Sequence, residues 1–379
     1  VIIWQLRDKL RQALQLARYL RDVHQANVRV LGMWRQKPDR EKLTDYLDRY
    51  QVPWEYLPYS WGQTRLTRVM RIIEYGLKIR RMKPDFILPY TMLPNVVCGN
   101  IWRLAGARGC IWNQRDEGRE RQPLRWEQRA IRQTPCFISN SNHGAVFLST
   151  ALGAPVNRIH VVYNGIAQEA PEKTPAQWRA NMGLPHEVFL ACMVANLTAF
   201  KDHRTLLRAW KTVRDELNRA GKQGVLLLAG RPDEAVLAEL KVLAYDLDLG
   251  RSVRFLGPVK DVSGLFSTVD LCVFSSKLEG VPNGILEGMS AGLAVVGTDI
   301  PGIREAVGPG GFECLACPGD VEALAAQVVR LALNQDLRSR AGAANRARIE
   351  KTFGVERMCQ ETVSLMLSTI ASGGKCAVT

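Results

Sequence analysis

The stretch Leu278-Glu279-Gly280-Val281-Pro282-Asn283-Gly284-Ile285-Leu286-Glu287 decides how this chain of 379 residues is interpreted. It follows a short apolar segment, Leu271–Phe274, that is typical of a buried strand, and it leads into a helix. The first N–H groups of a helix have no intrahelical partner, so they can bind an anion. The two flanking carboxylates, Glu279 and Glu287, can accept hydrogen bonds from hydroxyl groups. The stretch is therefore suited to a ligand that carries both phosphate and sugar groups.

A plainer interpretation makes the two glutamates solvated acids near a helix start, a position that acids favour. The residues between them argue against it. The pattern Glu-Gly-x-Pro-Asn-x-x-Leu-Glu resembles the Glu-x-seven-Glu signature of retaining glycosyltransferases with the GT-B fold (glycosyltransferase family 4, group 1). The resemblance implies an α/β fold class, with two doubly wound Rossmann-like domains facing across a cleft, and a nucleotide diphosphate sugar as donor.

Length and composition permit this architecture. The chain is 46% hydrophobic and long enough for two separate cores, and predicted strands alternate with helices. No apolar run approaches the roughly 20 residues of a membrane span. The apolar start at positions 1–4 soon gives way to the charged Arg7, Asp8 and Lys9, so we expect a cytoplasmic protein. Five of the nine cysteines lie in or beside apolar stretches and are expected to be core residues, namely Cys98, Cys110, Cys136, Cys192 and Cys272. Cys314 and Cys317 form a lone C-x-x-C, which we interpret as structural.

The sequence predicts three segments. Residues 1–166 are expected to form an acceptor-side domain, residues 167–354 a nucleotide-sugar-binding domain, and residues 355–379 a helix that crosses back to the first domain, followed by a tail. Members of the family open with a strand and a glycine-rich loop. Here the apolar opening is short and no Gly-Gly follows it, so we expect the first strand and loop to be missing. Residues 167–185 are polar and contain three prolines, which favours a linker.

A second element of the family lies after the predicted strand at 189–194. Lys201 precedes a helix there, and a lysine in this position can neutralise a diphosphate. The resemblance implies that Lys201 and Glu279 are catalytic, with Glu279 binding hydroxyls of the donor sugar and Glu287 binding the ribose. An arginine common in this element is replaced by Asn196. The further donor-binding residues that the resemblance implies are Asn196, Arg254, Asn283, Gly284 and Ile285.

In the first domain, Arg115 and Asp116 lie in a polar loop after the predicted strand at 109–112. Open α/β sheets bind ligands at the carboxyl ends of their strands, so we expect both residues on the acceptor side. A capped surface loop is the alternative. Relatives often carry a histidine in this loop, and its absence leaves the catalytic base unassigned.

No metal and no cofactor is expected beyond the donor substrate. The sequence Asp246-Leu247-Asp248 spells a metal-binding Asp-x-Asp motif, but it lies in an apolar-flanked helical segment. The activity expected is that of a metal-independent hexosyltransferase. An epimerase lacks the glutamate signature, and a phosphorylase needs a cofactor lysine motif that is not seen.

The net charge of +14 lies in the first half of the chain. Residues 1–166 hold 27 basic and 13 acidic residues, whereas residues 167–379 hold 24 of each. We expect this excess to attract an anionic membrane surface. The resemblance to the family implies a glycan or lipid-linked acceptor, in cell-surface polysaccharide biosynthesis. The alternatives are a solvated helix face, a nucleic-acid-binding protein and a non-catalytic sugar-nucleotide-binding protein. Nucleic acid is not expected, because no basic motif is interleaved with aromatic residues.

Two basic runs carry most of this charge. The first run interleaves with apolar residues in one helical stretch. The members of the two runs are Arg65, Arg68, Arg71, Lys78, Arg80, Arg81 and Lys83, then Arg115, Arg119, Arg121, Arg125, Arg129 and Arg132.

Overall fold

The computed structural model describes residues 2–4, 11–33, 47–115, 122–167 and 169–373 of the chain. The chain divides into two compact units. The first unit runs to Gly165 and resumes at Val355, and the second unit is Ile166–Gly354. The junction at Gly165 lies one residue before the boundary drawn from the sequence.

A sheet of parallel strands forms the centre of the first unit. Its strand order is β3-β2-β1-β4-β5-β6-β7, so the order reverses between β1 and β4. The strands are β1 (Ile2–Trp4), β2 (Val30–Gly32), β3 (Trp54–Tyr56), β4 (Phe86–Tyr90), β5 (Gly109–Gln114), β6 (Cys136–Ser139) and β7 (Ile159–Val161).

The expectation of a missing first strand is wrong. Ile2–Trp4 forms a strand that pairs in parallel with β2 on one side and with β4 on the other. Three residues suffice because both edges of the strand are hydrogen-bonded, and Ile2 and Ile3 are buried on opposite faces of the sheet. The segment where a glycine-rich loop was sought, residues 5–10, lies outside the described residues.

Helices cover both faces of this sheet. Ile2 packs with residues of the first and last helices of the unit, such as Leu14 and Cys359, whereas Ile3 packs with Ile79 and Val97. The helices are α1 (Arg11–Asp22), α2 (Arg65–Arg80), α3 (Met92–Ile101), α4 (Leu124–Gln133), α5 (Asn142–Thr150) and, from the end of the chain, α14 (Val355–Ala371).

The second unit repeats the same plan with a parallel sheet in the order β10-β9-β8-β11-β12-β13. Both sheets thus have the doubly wound arrangement expected of a Rossmann-like domain. The strands are β8 (Phe189–Val194), β9 (Gly224–Ala229), β10 (Val253–Gly257), β11 (Leu271–Phe274), β12 (Val295–Thr298) and β13 (Leu315–Ala316). The helices are α6 (Pro175–Met182), α7 (His203–Arg219), α8 (Glu234–Asp246), α9 (Val262–Thr268), α10 (Asn283–Ser290), α11 (Pro301–Val307), α12 (Val321–Leu333) and α13 (Gln335–Thr352).

The predicted linker at 167–185 is wrong in its second half, because α6 lies there. Thr174 and Gln177 form a capping box at its start, and Pro175 occupies its first turn, where a missing N–H costs nothing. Trp178 Nε1 donates to Asp261 Oδ2 at 2.9 Å, and Arg179 donates to the Val188 carbonyl at 3.0 Å. These contacts make α6 an integral helix of the second unit.

No helix in the described part of the chain combines the length and hydrophobicity that a bilayer crossing requires. The eight described cysteines are free thiols, and only Cys317 among them is exposed.

Helix α13 packs against α10. The sequence analysis predicted no helix at this position. Gly342 of α13 faces the carbonyl of Gly292, just after α10, and a Cβ atom added at Gly342 would lie 2.0 Å from that oxygen. The absence of a side chain therefore lets the two backbones approach closely.

We expect Gly342→Ala to lower the free energy of unfolding by about 2 kcal/mol or more, since neither backbone segment can move without repacking. Gly310→Ala is the matched control, because an added Cβ there meets no atom within 4 Å. Denaturant titration of both variants checks this. Equal midpoints for the two variants would contradict the proposed close packing.

Candidate functional site

Strands β8 and β11 are neighbours at the point where the strand order of the second sheet reverses. β8 pairs in parallel with β9 on one side and with β11 on the other. Connections after these two strands leave in opposite directions, so their carboxyl ends open a crevice, the usual ligand site of such sheets. The loops after β8 and β11 carry Lys201 and Glu279, respectively.

Backbone hydrogen bonds join the two loops. The N–H of Asp202 donates to the carbonyl of Ser275 at 3.0 Å, and the N–H of Lys277 donates to the carbonyl of Phe200 at 3.2 Å. Lys201 and Ser276 thereby form an isolated antiparallel bridge. The side chain of Asp202 then caps α7 by accepting from the N–H of Thr205. The loops are consequently fixed with respect to each other and to the helix that follows.

Lys201 and Glu279, the two residues predicted to be catalytic, form an ion pair. Their side chains are only 14% and 9% exposed. The ammonium group also lies 4.9 Å from the centroid of the Phe274 ring. Ser276 Oγ donates to Glu279 Oε1 at 2.9 Å, so the carboxylate has two partners within the loops.

Ser276 and Thr298 belong to this site although the sequence analysis assigned them no role. Thr298 Oγ1 accepts from the N–H of Ser276 at 3.0 Å and donates to the carbonyl of Ser276 at 2.7 Å. Ser276 is therefore held at both backbone groups while its hydroxyl orients Glu279. The polar pair Ser275-Ser276 at a strand end was the signal in the sequence, but the contact with β12 was not visible there.

The N-terminus of α10 lies directly behind the Glu279 loop. Pro282 is the N-cap residue, and its side chain makes no capping hydrogen bond. A Cβ atom at Gly284 would lie 2.2 Å from the carbonyl oxygen of Val194, so only glycine lets the helix start this close to the end of β8. A similar approach holds the other side of the loop, because a Cβ atom at Gly302 would lie 1.5 Å from the carbonyl oxygen of Gly280.

The remaining residues of the motif differ in exposure. Asn283 and Glu287 are half-buried. Ile285 is fully buried in the core, so it can meet a donor only through its backbone, and its N–H already donates to Pro282 at 3.2 Å.

Asn196 and Arg254, two predicted donor-binding residues, hold other parts of the second unit together. Asn196 Oδ1 accepts from the N–H of Arg231 at 3.1 Å, and the guanidinium group of Arg254 donates to the carbonyl of Met182. Gly230 lies beside Asn196 with a φ of +151°, a value that favours glycine. Both predicted side chains thus have structural partners within the unit.

His203, the first residue of α7, is a buried residue of this site that the sequence analysis did not single out. Burial lowers the pKa of His203 to about 4. Its ring is therefore neutral near pH 7 and adds no charge close to Lys201.

In the first unit, Arg115 follows β5 and is only 7% exposed. It donates to Asn164 Oδ1 at 2.8 Å and to Asn113 Oδ1 at 3.4 Å, and its guanidinium group lies 4.9 Å from the centroid of the Tyr90 ring. Burial lowers the pKa of Arg115. Arg115 thus connects the ends of three chain segments. Because it is buried, it does not belong to the exposed residues of the second basic run. Asp116, its predicted companion, lies outside the described residues.

Two family descriptions match the chain. "Glycosyltransferase Family 4" matches residues 11–169, and "Glycosyl transferases group 1" matches residues 189–334. The second range contains Lys201, Glu279 and Glu287.

Several curated proteins are similar in sequence. D-inositol 3-phosphate glycosyltransferase of Streptomyces scabiei is 27% identical over 246 residues, which are 63% of this chain and 55% of that protein. The amylovoran biosynthesis glycosyltransferase AmsK of Erwinia amylovora is 28% identical over 211 residues, 54% of this chain and 49% of its own. The chain thus spans about half the length of these relatives.

Solved structures share the fold over nearly the whole chain. Anabaena HepE, in complex with UDP and glucose, aligns with a TM-score of 0.80 at 18% identity and covers 97% of this chain and 99% of its own. Sucrose-phosphate synthase from Thermosynechococcus elongatus gives 0.77 at 18% identity, with 98% and 99% covered. The fold shared with these structures is GT-B.

Proposed function

The chain belongs to the glycosyltransferases of family 4, group 1, and we propose that it transfers a hexose from a nucleoside diphosphate sugar to a glycan or lipid-linked acceptor, with retention of anomeric configuration. The observation that carries the proposal is the ion pair between Lys201 and Glu279 beside the start of α10. A cation and the N–H groups of the helix start, which can bind a diphosphate, thus lie next to a carboxylate that can accept hydrogen bonds from sugar hydroxyls.

The donor would exchange partners with this ion pair. Its diphosphate would take Lys201 and the N–H groups at the start of α10, where the helix dipole also favours negative charge. Glu279, released from Lys201, would accept hydrogen bonds from hydroxyls of the donor sugar while Ser276 keeps it oriented. Glu287, one to two turns into α10, would bind the ribose.

Lys201 would then act mainly in the transition state. As the glycosidic bond breaks, negative charge grows on the departing diphosphate. A buried cation that is already in place stabilises that charge without reorganisation, and such differential stabilisation raises kcat. In this proposal Lys201 and the start of α10 supply the charge compensation, and no divalent metal takes part.

Two relatives narrow the proposal. HepE binds UDP and glucose by its title, so UDP is the first nucleotide to test. AmsK acts in amylovoran biosynthesis by its name, which supports an acceptor in cell-surface polysaccharide biosynthesis. The excess positive charge of the first unit supports an acceptor that lies at an anionic membrane surface, with the protein peripheral to the inner face.

We expect Lys201→Ala to lower kcat by about 100-fold while KM for the donor changes much less, because the group acts most strongly on the developing charge. Lys211→Ala, at an exposed position of α7, is the control. Lys201→Gln keeps a hydrogen-bond donor for Glu279, and unfolding measured in parallel separates lost stability from lost catalysis. A loss confined to KM would contradict the transition-state role.

We expect Glu287→Ala to weaken binding of UDP itself, since a carboxylate that accepts from two ribose hydroxyls is lost. Each such hydrogen bond to a charged group is worth about 1.5–3 kcal/mol, so the affinity should fall at least tenfold. Isothermal titration calorimetry measures the change, with Glu322→Ala, an exposed acid in the first turn of α12, as control. Unchanged UDP affinity would rule out the ribose role.

We expect transfer or donor hydrolysis to continue in EDTA, because Lys201 and the helix N-terminus neutralise the diphosphate in this proposal. The rate is compared before and after chelation and after addition of magnesium. Complete inhibition by EDTA that magnesium reverses would show that a metal does this work.

A further inference from the structure

Helix α2 of the first unit carries a row of apolar side chains on its solvent side. Leu66 is 69% exposed and Met70 is 60% exposed, and three further residues of the row are also exposed. Their spacing of three and four residues places them along one stripe, about 100° wide at ~100° per residue. The stripe consists of Leu66, Val69, Met70, Ile73 and Leu77.

This stripe is separate from the face by which α2 joins its own unit. Ile72, Tyr75, Gly76 and Ile79 are buried, and Ile79 belongs to the core on that side of the sheet. The helix therefore does not need the outer stripe to stay attached. A core-facing helix with a second, exposed apolar stripe indicates that something else contacts the outer side.

Basic residues surround the stripe. Within α2 and the three residues after it there are seven lysines and arginines and a single acid, Glu74. Arg68 is half-buried and bonds to the carbonyl of Gly62, so it serves the structure. The exposed cations are Arg65, Arg71, Lys78, Arg80, Arg81 and Lys83. Although exposed, Arg71 and Arg80 donate to the carbonyls of Ser60 and Leu104, and Lys78 pairs with Glu74.

Two tryptophans connect this surface to the start of α4. The rings of Trp61, before α2, and Trp126, in α4, lie 5.9 Å apart, and Trp61 Nε1 donates to Gln122 at 2.8 Å. Next to them Leu124 is 60% exposed, and Arg125 is exposed as well. The apolar and basic character of α2 thus continues onto a second helix.

We propose that the outer side of α2, together with the start of α4, docks on an anionic lipid bilayer. The apolar stripe would enter the boundary between headgroups and acyl chains, and the cations would lie among the anionic headgroups. Apolar residues, flanking lysines and arginines, and half-buried tryptophans are the combination that interfacial helices use. An acidic protein would match the cations but would leave the apolar stripe without a comparable partner.

The inference adds a docking element to the proposed function and rests on its membrane-surface acceptor. Docking itself needs no donor, however, so the two can fail separately. Donor hydrolysis without vesicles is measured on the same proteins for this reason. If the donor is hydrolysed but the protein does not dock, the proposed activity stands and the docking surface is refuted. If the protein docks but the donor is not hydrolysed, the docking surface stands and the proposed activity is refuted.

The test is co-sedimentation of the full chain with vesicles of phosphatidylglycerol and phosphatidylcholine in equal parts, compared with pure phosphatidylcholine. We expect binding that requires the anionic lipid and weakens with salt. Leu66→Gln/Met70→Gln/Ile73→Gln should weaken it about tenfold or more. Arg65→Gln/Lys78→Gln/Arg81→Gln should weaken it about 100-fold at low salt, from the contribution of each basic residue near an anionic surface.

Matched controls lie on the second unit. Lys211→Gln/Arg219→Gln/Lys222→Gln removes the same charge from exposed positions, and Val242→Gln/Tyr245→Gln/Leu333→Gln removes exposed apolar side chains. Both controls should bind as the unaltered protein does. Equal sedimentation with the two kinds of vesicle, or equal losses in control and α2 variants, would overturn the proposal.

Discussion

The ion pair between Lys201 and Glu279 depends on two loops that backbone hydrogen bonds hold side by side. These loops meet because β8 and β11 are adjacent where the strand order reverses. Glycines at 284 and 302 let α10 and α11 begin close behind the loops. The position of one buried charge pair thus follows from sheet topology, and any change that separates β8 from β11 also separates the two charges.

The local parts of this site could be predicted from the sequence. Glu279, Pro282 and Gly284 lie in one strand-turn-helix segment, and turn chemistry acts over a few residues. The parallel sheets were predictable from the alternation of strands and helices. The contact of Ser276 with Thr298 was not, because it joins segments 22 positions apart. The contact of Asn196 with Arg231 could not be predicted either, because these residues lie 35 positions apart.

The errors also have physical causes. Ile2–Trp4 is too short to stand out as a strand, and only pairing with both neighbours stabilises it. Pro175 suggested a linker, although proline is equally suited to the first turn of a helix. In both cases contacts with segments that are distant in sequence decide the local structure.

The mutual neutralisation of Lys201 and Glu279 also bears on selectivity. A free phosphate ion could satisfy Lys201, but it would leave Glu279 as a poorly hydrated carboxylate with one remaining partner, Ser276. Leaving a buried charge unpaired is costly. A free sugar could bind Glu279 but would leave the ammonium group of Lys201 without an anionic partner. Only a molecule that brings an anion and hydroxyl donors at the right separation satisfies both groups at once. Under the proposed function, the pair therefore favours a ligand that carries both an anion and hydroxyl donors over free phosphate or a free sugar.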